Sequence, residues 1–192
     1  MSVPALVVKL GGSHATHAAL RPWLCAIAAA AGAVVLVPGG GPFADAVRAL
    51  QPRLGFDDRT AHAMALLAMA QFAQFLIGLA PALAPADGPA AIAAALAAGR
   101  VPVWLPPPGL GAAEGIAPSW EVTSDSLALW LAGELAAPAL LLVKARRGGM
   151  ALLDAAFPRL RPAYAGRVLI AGPEDLPAAG LDPLHPPGTL LA

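Results

Sequence analysis

The sequence Leu6-Val7-Val8-Lys9-Leu10-Gly11-Gly12-Ser13 joins a short apolar run to a lysine and two glycines. An apolar run of this length that ends in glycines is typical of a buried parallel strand. A second apolar run, 33–37, leads into Pro38-Gly39-Gly40-Gly41-Pro42, and a helical pattern follows each run. This order of strand, helix, strand, helix predicts an α/β fold with a parallel sheet and right-handed crossovers.

Periodic segments continue this pattern along the chain. The predicted helices are 17–31, 43–50, 60–79, 90–98 and 123–135. The further predicted strands are 101–105, 139–144, 168–171 and a terminal edge strand 189–191. A chain of 192 residues is long enough for one sizeable core, so we predict a single domain over 1–192.

Lysine is rare in this chain: only Lys9 and Lys144 occur among its 12 basic side chains. Each lysine ends an apolar run that is predicted to be a buried strand. Lysine carries a compact, mobile charge that suits a phosphoryl group in transfer. We interpret Lys9 as facing a ligand, whereas Lys144 is equally consistent with a strand-end cation that reaches solvent.

Two glycine clusters, 11–12 and 39–41, follow the first two predicted strands. In an open parallel sheet, loops at the carboxyl ends of strands form the ligand crevice. Consecutive glycines expose backbone N–H groups there, and a following helix N-terminus adds positive potential. Two such clusters suit a donor phosphate and an acceptor phosphate, although each cluster alone is equally consistent with a tight turn.

The third motif is Thr123-Ser124-Asp125-Ser126, at the start of a predicted helix. An acidic residue in a first helical turn stabilises the helix by about 0.3–1 kcal/mol. The functional alternative is that Asp125 lies between Lys9 and Lys144 and fixes their ammonium groups. Arg59 precedes the helix 60–79, where it either binds a phosphate or pairs with Asp57-Asp58.

The composition restricts the possible partners. Formal net charge is zero and no basic run occurs, which argues against nucleic acid. The apolar stretch 23–37 is shorter than the roughly 20 residues of a spanning helix, and polar residues and Pro81 interrupt 61–84. We see no signal peptide, and the single Cys25 excludes an internal disulfide, so a cytoplasmic location is predicted.

The predicted helix 60–79 is apolar around most of its circumference. Such a helix is usually buried, and in a small domain this predicts a homodimer through 60–79. The alternative is a central core helix. No set of His and Cys has the spacing of a metal site, so no protein-bound metal is predicted.

Taken together, the motifs resemble the amino acid kinase family, whose members include aspartate, acetylglutamate, carbamate and uridylate kinases. The matching stretches are 8–13, 37–45 and 123–128. The stretch Ser119-Trp120-Glu121-Val122-Thr123-Ser124-Asp125-Ser126, the run 58–65 and the terminal 188–191 are more specifically similar to one branch, the (5-(aminomethyl)furan-3-yl)methyl phosphate kinase of methanofuran biosynthesis.

The resemblance implies a three-layer αβα sandwich and a kinase that transfers the ATP γ-phosphoryl to a phosphate or carboxylate acceptor, most simply aminomethylfuran phosphate. It implies that Mg²⁺ is held mainly through phosphates. The implied catalytic residues are Lys9, Asp125 and Lys144. The implied ATP-binding residues are Lys9, Gly11, Gly12, Ser13 and Lys144. The implied acceptor-binding residues are Gly39, Gly40, Gly41, Arg59 and Thr123.

One departure from the family concerns the residues after Lys144. Family members usually carry a long nucleotide-binding lobe there, whereas this chain has 145–192, with Arg146-Arg147-Gly148-Gly149 in place of an Asp-rich turn. We therefore predict a shortened nucleotide-side portion over 145–192. Two alternatives stay open: a catalytically inactive, kinase-derived protein that binds a phosphorylated metabolite, and a kinase for another acceptor such as an isoprenoid phosphate.

Overall fold

A computed structural model describes residues 3–111 and 115–191. Its strands are β1 (Leu6–Leu10), β2 (Val34–Pro38), β3 (Leu83–Ala86), β4 (Val101–Trp104), β5 (Ala139–Val143), β6 (Arg167–Ala171) and β7 (Thr189–Leu190). Its helices are α1 (Leu20–Ala28), α2 (Gly41–Leu54), α3 (Asp58–Leu79), α4 (Pro89–Ala97), α5 (Ser124–Glu134) and α6 (Phe157–Leu160).

The strands form one sheet in the order β3-β4-β2-β1-β5-β6-β7. All neighbouring pairs are parallel except β6 with β7, which is antiparallel. Every residue of β1, β2 and β5 is buried, which explains why these strands read as continuous apolar runs. The mostly parallel sheet, flanked by helices, confirms the predicted α/β sandwich.

Side chains alternate between two hydrophobic cores, one on each face of the sheet. Leu6, Val8 and Leu10 pack with α1 on one face. Val7 packs on the other face with α5, together with Leu140 and Leu142 of β5. Since strand side chains point to opposite faces in turn, the next residues on the α5 face are Lys9 and Lys144. The sheet therefore directs both lysines toward α5.

The edge strand β3, Leu83–Ala86, is not predicted by the sequence. It pairs in parallel with β4 over its four residues. Its sequence, Leu-Ala-Pro-Ala, contains a proline, which cannot donate a hydrogen bond in a sheet and is confined mainly to edge strands. Because β3 lies at the edge of the sheet, Pro85 is tolerated there and the usual strand signal is absent.

The long helix α3 contributes to both cores. Leu66 and Met69 pack with the α5-side core, whereas Phe72 and Leu76 pack with the α1-side core. By length and composition alone α3 could cross a membrane, but it packs against α2, β2, β3 and β4 within the domain. The alternative of a core helix therefore holds for this face of α3, whereas Leu67 and Phe75 on its outer face are exposed.

Candidate active site

Asp125 lies between the two lysines of the chain. Its Oδ1 is 2.8 Å from Lys9 Nζ and its Oδ2 is 2.7 Å from Lys144 Nζ. The three residues are almost fully buried, with 4%, 3% and 8% of Lys9, Asp125 and Lys144 exposed. Lys144 Nζ also donates a hydrogen bond to the Leu152 carbonyl at 2.9 Å. This arrangement places two cations at fixed positions on either side of one carboxylate.

The environment of this cluster shifts two pKa values. Burial raises the pKa of Asp125, but the charges of Lys9 and Lys144 and their hydrogen bonds outweigh burial and hold this pKa below its usual range. Burial and the charge of Lys9 lower the pKa of Lys144 to about 8, although Asp125 opposes the shift. At neutral pH Asp125 is therefore a carboxylate, and Lys144 lies near its titration range.

The two glycine loops, 11–12 and 39–41, pack directly against each other at the carboxyl ends of β1 and β2. A Cβ atom added to Gly12 would lie 2.6 Å from Gly41 Cα, and one added to Gly39 would lie 2.8 Å from Gly12 Cα. Gly41 also has a positive φ of 55°, which favours glycine. Glycine is therefore required at these positions for close packing of the loops, in addition to any approach to a ligand.

His14 is a buried residue of the first glycine loop that the sequence did not place in the site. It lies in a short 3-10 turn, Gly12–Thr16, and its Nδ1 is 3.2 Å from the Gly11 carbonyl. Because a carbonyl only accepts, Nδ1 is the donor, and the neutral ring keeps a lone pair on Nε2. Burial lowers the pKa of His14 to about 4, so the ring is uncharged at neutral pH.

The N-terminus of α5 is held by Asp154, another residue missed by sequence reasoning. Asp154 Oδ2 accepts hydrogen bonds from Thr123 N at 2.9 Å, Thr123 Oγ1 at 2.9 Å and Ser126 N at 3.0 Å. Asp154 Oδ1 accepts from Ser126 Oγ and from Phe157 N. The hydroxyl hydrogen of Thr123 is therefore directed to Asp154 rather than to a ligand.

A cavity of about 160 Å³ lies between α2, α3 and the start of α5. Gly40, Gly41, Thr123 and Ser124 line it beside the lysine cluster, and Asp45, Arg48 and Trp120 also line it. The Arg48 guanidinium lies 4.5 Å from the centre of the Trp120 ring. Trp120 Nε1 donates to Gln51 Oε1 at 2.5 Å, and Gln51 Nε2 donates to Asp58 at 2.8 Å. These contacts fix an aromatic wall and a cation at the cavity.

The structure does not bring all the predicted residues together. Arg59 lines a different cavity, with Pro108 and Leu110, and not the one beside Gly40 and Gly41. Arg147 forms an ion pair with Glu174 at the protein surface. Arg146 and Ser13 are exposed. Arg59 is therefore the predicted acceptor residue with least structural support.

Phosphate groups fit the residues of the site. Asp125 is the sole polar partner of Lys9 Nζ among residues 3–111 and 115–191, and lysine has three donors, so Lys9 retains donors for an anion. Within the same ranges, no three His, Cys, Asp or Glu side chains are grouped to hold a metal ion. Binding of Mg²⁺ mainly through phosphates stays a prediction.

The model of the amino acid kinase family matches residues 4–148. No curated protein matches the sequence. The fold is similar to uridylate kinase from Archaeoglobus fulgidus, with a TM-score of 0.72 and 18% identity over 98% of this chain and 100% of that chain.

Two further solved structures share the fold. For UMP kinase from Ureaplasma parvum, the TM-score is 0.66 and the identity 15%, over 91% of this chain and 92% of that chain. For aspartate kinase from Synechocystis, the TM-score is 0.64 and the identity 14%, over 88% of this chain and 38% of that chain. Since the family model covers well over half of the 192 residues, this chain belongs to the amino acid kinase family.

Proposed function

We propose that this protein is an ATP-dependent kinase that phosphorylates a small, phosphate-bearing acceptor. The observation that carries the proposal is the buried Lys9–Asp125–Lys144 cluster at the carboxyl ends of β1 and β5. A protein that only needed surface charge would expose its lysines, because buried cations are costly unless they are paired. Paired cations beside glycine loops suit a site where negative charge must be neutralised.

In the proposed reaction, an oxygen of the acceptor phosphate attacks the γ-phosphorus of ATP. The bond from that phosphorus to the bridging β-phosphate oxygen breaks, and the products are ADP and a diphosphate. Lys9 and Lys144 neutralise charge on the oxygens in transfer, and Asp125 keeps the two ammonium groups in place. The N–H groups of the loop after β1 bind the donor phosphates. Catalysis then consists of positioning and charge neutralisation.

The cavity supports a small acceptor. Its volume of about 160 Å³ is below the roughly 300–1,000 Å³ of drug-sized ligand sites. The acceptor phosphate lies at Gly40 and Gly41, where α2 begins and its N-terminus favours an anion. Trp120 provides an aromatic wall, and Asp45 provides a carboxylate without an ion-pair partner among the described residues.

We propose (5-(aminomethyl)furan-3-yl)methyl phosphate as this acceptor. It carries a phosphate, a flat aromatic ring and an ammonium group, which correspond to Gly40 and Gly41, to Trp120 and to Asp45. The sequence similarity of 119–126 to the corresponding kinase branch supports the same choice. In this proposal the protein works on a small metabolite in the cytoplasm, and the segment 145–191 provides the nucleotide side, on which the exposed Arg146 is available to ATP.

A second candidate function is binding of a phosphorylated metabolite without turnover. It is favoured by the contacts of Lys144, whose ammonium group is already bound by Asp125 and by the Leu152 carbonyl. In this alternative the segment after β5 closes the donor side of the site permanently.

Calorimetric titration with ATP, alone and with Mg²⁺, separates the two candidates. The kinase proposal predicts saturable ATP binding that Lys9→Ala weakens at least tenfold, because Lys9 contacts the donor phosphates. The matched control is Arg21→Ala, which removes an exposed cation of α1 and leaves ATP binding unchanged. Absence of ATP binding, combined with saturable binding of the phosphorylated acceptor, identifies the second candidate instead.

A further inference from the structure

Asp154 connects the chain after β5 to the start of α5. It accepts hydrogen bonds from two backbone N–H groups and two hydroxyls of Thr123 and Ser126, and from Phe157 N. The bonds to Thr123 and Ser126 span 31 and 28 residues of sequence. Asp154 also lies beyond residues 4–148, the part of the chain that matches the family model. Its carboxylate is therefore a long-range support for α5.

The position of these bonds relative to Asp125 relates them to the proposed reaction. Thr123 and Ser126 flank Asp125 in sequence, so Asp154 fixes the backbone on both sides of that residue. Two residues before Asp154, the Leu152 carbonyl accepts a hydrogen bond from Lys144 Nζ at 2.9 Å. One short segment, 152–154, thus holds both Asp125 and its partner Lys144.

We propose that Asp154 is a positioning residue for phosphoryl transfer, which sets the placement of Asp125 between Lys9 and Lys144. Asp154 touches neither ammonium group in the structure and acts on their placement through α5, while its negative charge also raises the pKa of Lys144. Because charge-assisted bonds to a carboxylate are the stronger class of hydrogen bond, the four from Thr123 and Ser126 define one placement of the α5 start. The kinetic consequence rests on the proposed function, whereas the structural consequence does not.

Asp57 provides a matched control, because it is also an aspartate at a helix start. Its side chain accepts a hydrogen bond from Thr60 N at 2.8 Å at the N-terminus of α3, and it lies in an exposed setting. Asp57→Asn removes a capping charge that has no contact with α5. Because Asp154 accepts five hydrogen bonds and Asp57 one, the free energy of unfolding is measured for both variants, so that a loss of stability is distinguished from a loss of positioning.

The kinetic experiment compares Asp154→Asn, Asp154→Ala, Ser126→Ala and Asp57→Asn with the wild-type protein. Transfer from Mg-ATP to the aminomethylfuran phosphate is measured at 25 °C. We expect kcat to fall at least tenfold in both Asp154 variants and less in Ser126→Ala, which loses one of the bonds. The KM for the acceptor changes less than twofold, and Asp57→Asn keeps its kcat. Equal kcat values in Asp154→Asn and wild type overturn the proposal.

A second readout is independent of activity, because Lys9 and Lys144 are the only lysines of the chain. Acetic anhydride at pH 7.5 modifies accessible lysines, and mass spectrometry of the peptides gives a rate for each. We expect Lys144, 8% exposed in the structure, to react at least fivefold faster in Asp154→Asn and at wild-type rate in Asp57→Asn. Unchanged protection of Lys144 overturns the proposal.

Absence of turnover in the wild-type protein contradicts the proposed function, while labelling still tests Asp154. Ser126→Ala keeps the charge of Asp154, so faster labelling of Lys144 in this variant reports displacement rather than a lower pKa, and it also serves if the Asp154 variants do not fold.

Discussion

At the scale of single residues, burial changes what Asp125 is expected to contribute. As an exposed acid in a first helical turn it would stabilise the protein by about 0.3–1 kcal/mol. In the structure it is 3% exposed and paired with two ammonium groups. Removing one member of a buried ionic cluster costs about 3–5 kcal/mol, because the remaining charges stay buried without compensation. The expected effect of removing Asp125 is therefore larger than that of removing an exposed capping acid.

We predict that Asp125→Asn lowers the free energy of unfolding by about 3 kcal/mol. The same change lowers kcat by about 100-fold, since displaced ammonium groups no longer match the phosphoryl in transfer. Urea unfolding and steady-state kinetics measure the two effects. Asp182→Asn is the control, because Asp182 pairs with His185 at the exposed surface. A stability loss below 1 kcal/mol, equal to that of the control, contradicts the buried-cluster description.

His14 predicts a specific loss of stability in acid. Its pKa is lowered from 6.5 to about 4 by burial, so between these values the unfolded chain binds a proton that the folded chain does not. Stability is therefore complete above pH 6.5 and decreases as the pH falls toward 4, by up to about 3 kcal/mol. His14→Gln has an amide that can also donate to a carbonyl but does not titrate, so it removes this slope. Identical pH dependence of Tm between pH 4 and 6.5 in both proteins would exclude burial of a neutral His14.

Sequence reasoning identified some residues of the site and missed others for physical reasons. Lys9 and Lys144 stand out because lysine is otherwise absent and both end apolar runs. Asp154 lies in a segment without periodicity, and its partners are about 30 residues away, so no local pattern marks it. His14 follows the glycines closely, but only the three-dimensional fold shows that its ring is buried.

At the scale of elements, the two glycine loops behave as one unit. Gly39→Ala places a methyl group against the backbone of Gly12, and backbone atoms cannot move aside as a flexible side chain does. We predict a loss of at least about 2 kcal/mol in unfolding free energy, similar to other overpacked sites. Gly133→Ala, where an added Cβ meets nothing within 4 Å in α5, should instead raise stability by about 0.5 kcal/mol. Urea unfolding of both variants checks this, and equal effects would argue against direct loop contact.

The elements themselves were predictable where their periodicity was strong. Strands β1, β2 and β5 are buried on both faces and appear as unbroken apolar runs, so their positions differ from prediction by one residue at most. Helix α2 extends to Leu54, beyond the predicted 43–50. Pro52 lies in its last turn, and because a proline there is normally a sign of a helix end, the sequence does not indicate this extension. Strand β3 and helix α6 contain prolines and carry no usable period.

At the scale of the whole molecule, the outer face of α3 predicts self-association. From Thr60 to Leu79 the helix has no charged residue. Leu67 and Phe75 on α3 are 47% and 40% exposed, and Phe43 on the neighbouring α2 is 38% exposed. We propose that this apolar surface pairs with its copy across a two-fold axis, since such pairing is the commonest symmetry of soluble oligomers.

Light scattering during size-exclusion chromatography at micromolar concentration tests the dimer. We predict a dimer for the wild-type protein and a monomer for the double variant Leu67→Glu and Phe75→Glu, because two buried carboxylates oppose association. Leu184→Glu changes a leucine that is 64% exposed outside α3, and it should stay dimeric. A wild-type monomer, or a variant dimer, would rule out pairing through α3.

The overall architecture could be predicted from the sequence, whereas the contacts that residues 145–163 make with the lysine cluster could not. Alternation of apolar runs with helices specified the parallel sheet. Two lysines, two glycine clusters and Asp125 predict a ligand site at the carboxyl ends of its strands, and this site stays a prediction. Residues 145–163 fold as turns and the short helix α6, so their role in holding Lys144 and Asp125 is visible only in three dimensions.

The most direct test of the central claim, that this protein transfers the γ-phosphoryl of ATP, is ³¹P NMR of the reaction itself. The purified protein is mixed with Mg-ATP and (5-(aminomethyl)furan-3-yl)methyl phosphate. We predict that ADP and a new diphosphate ester appear together in equal amounts, that neither forms without acceptor, and that Lys9→Ala abolishes both while Arg21→Ala forms them at the wild-type rate. An unchanged ATP spectrum in the complete wild-type mixture, or equal turnover by Lys9→Ala, would contradict the account.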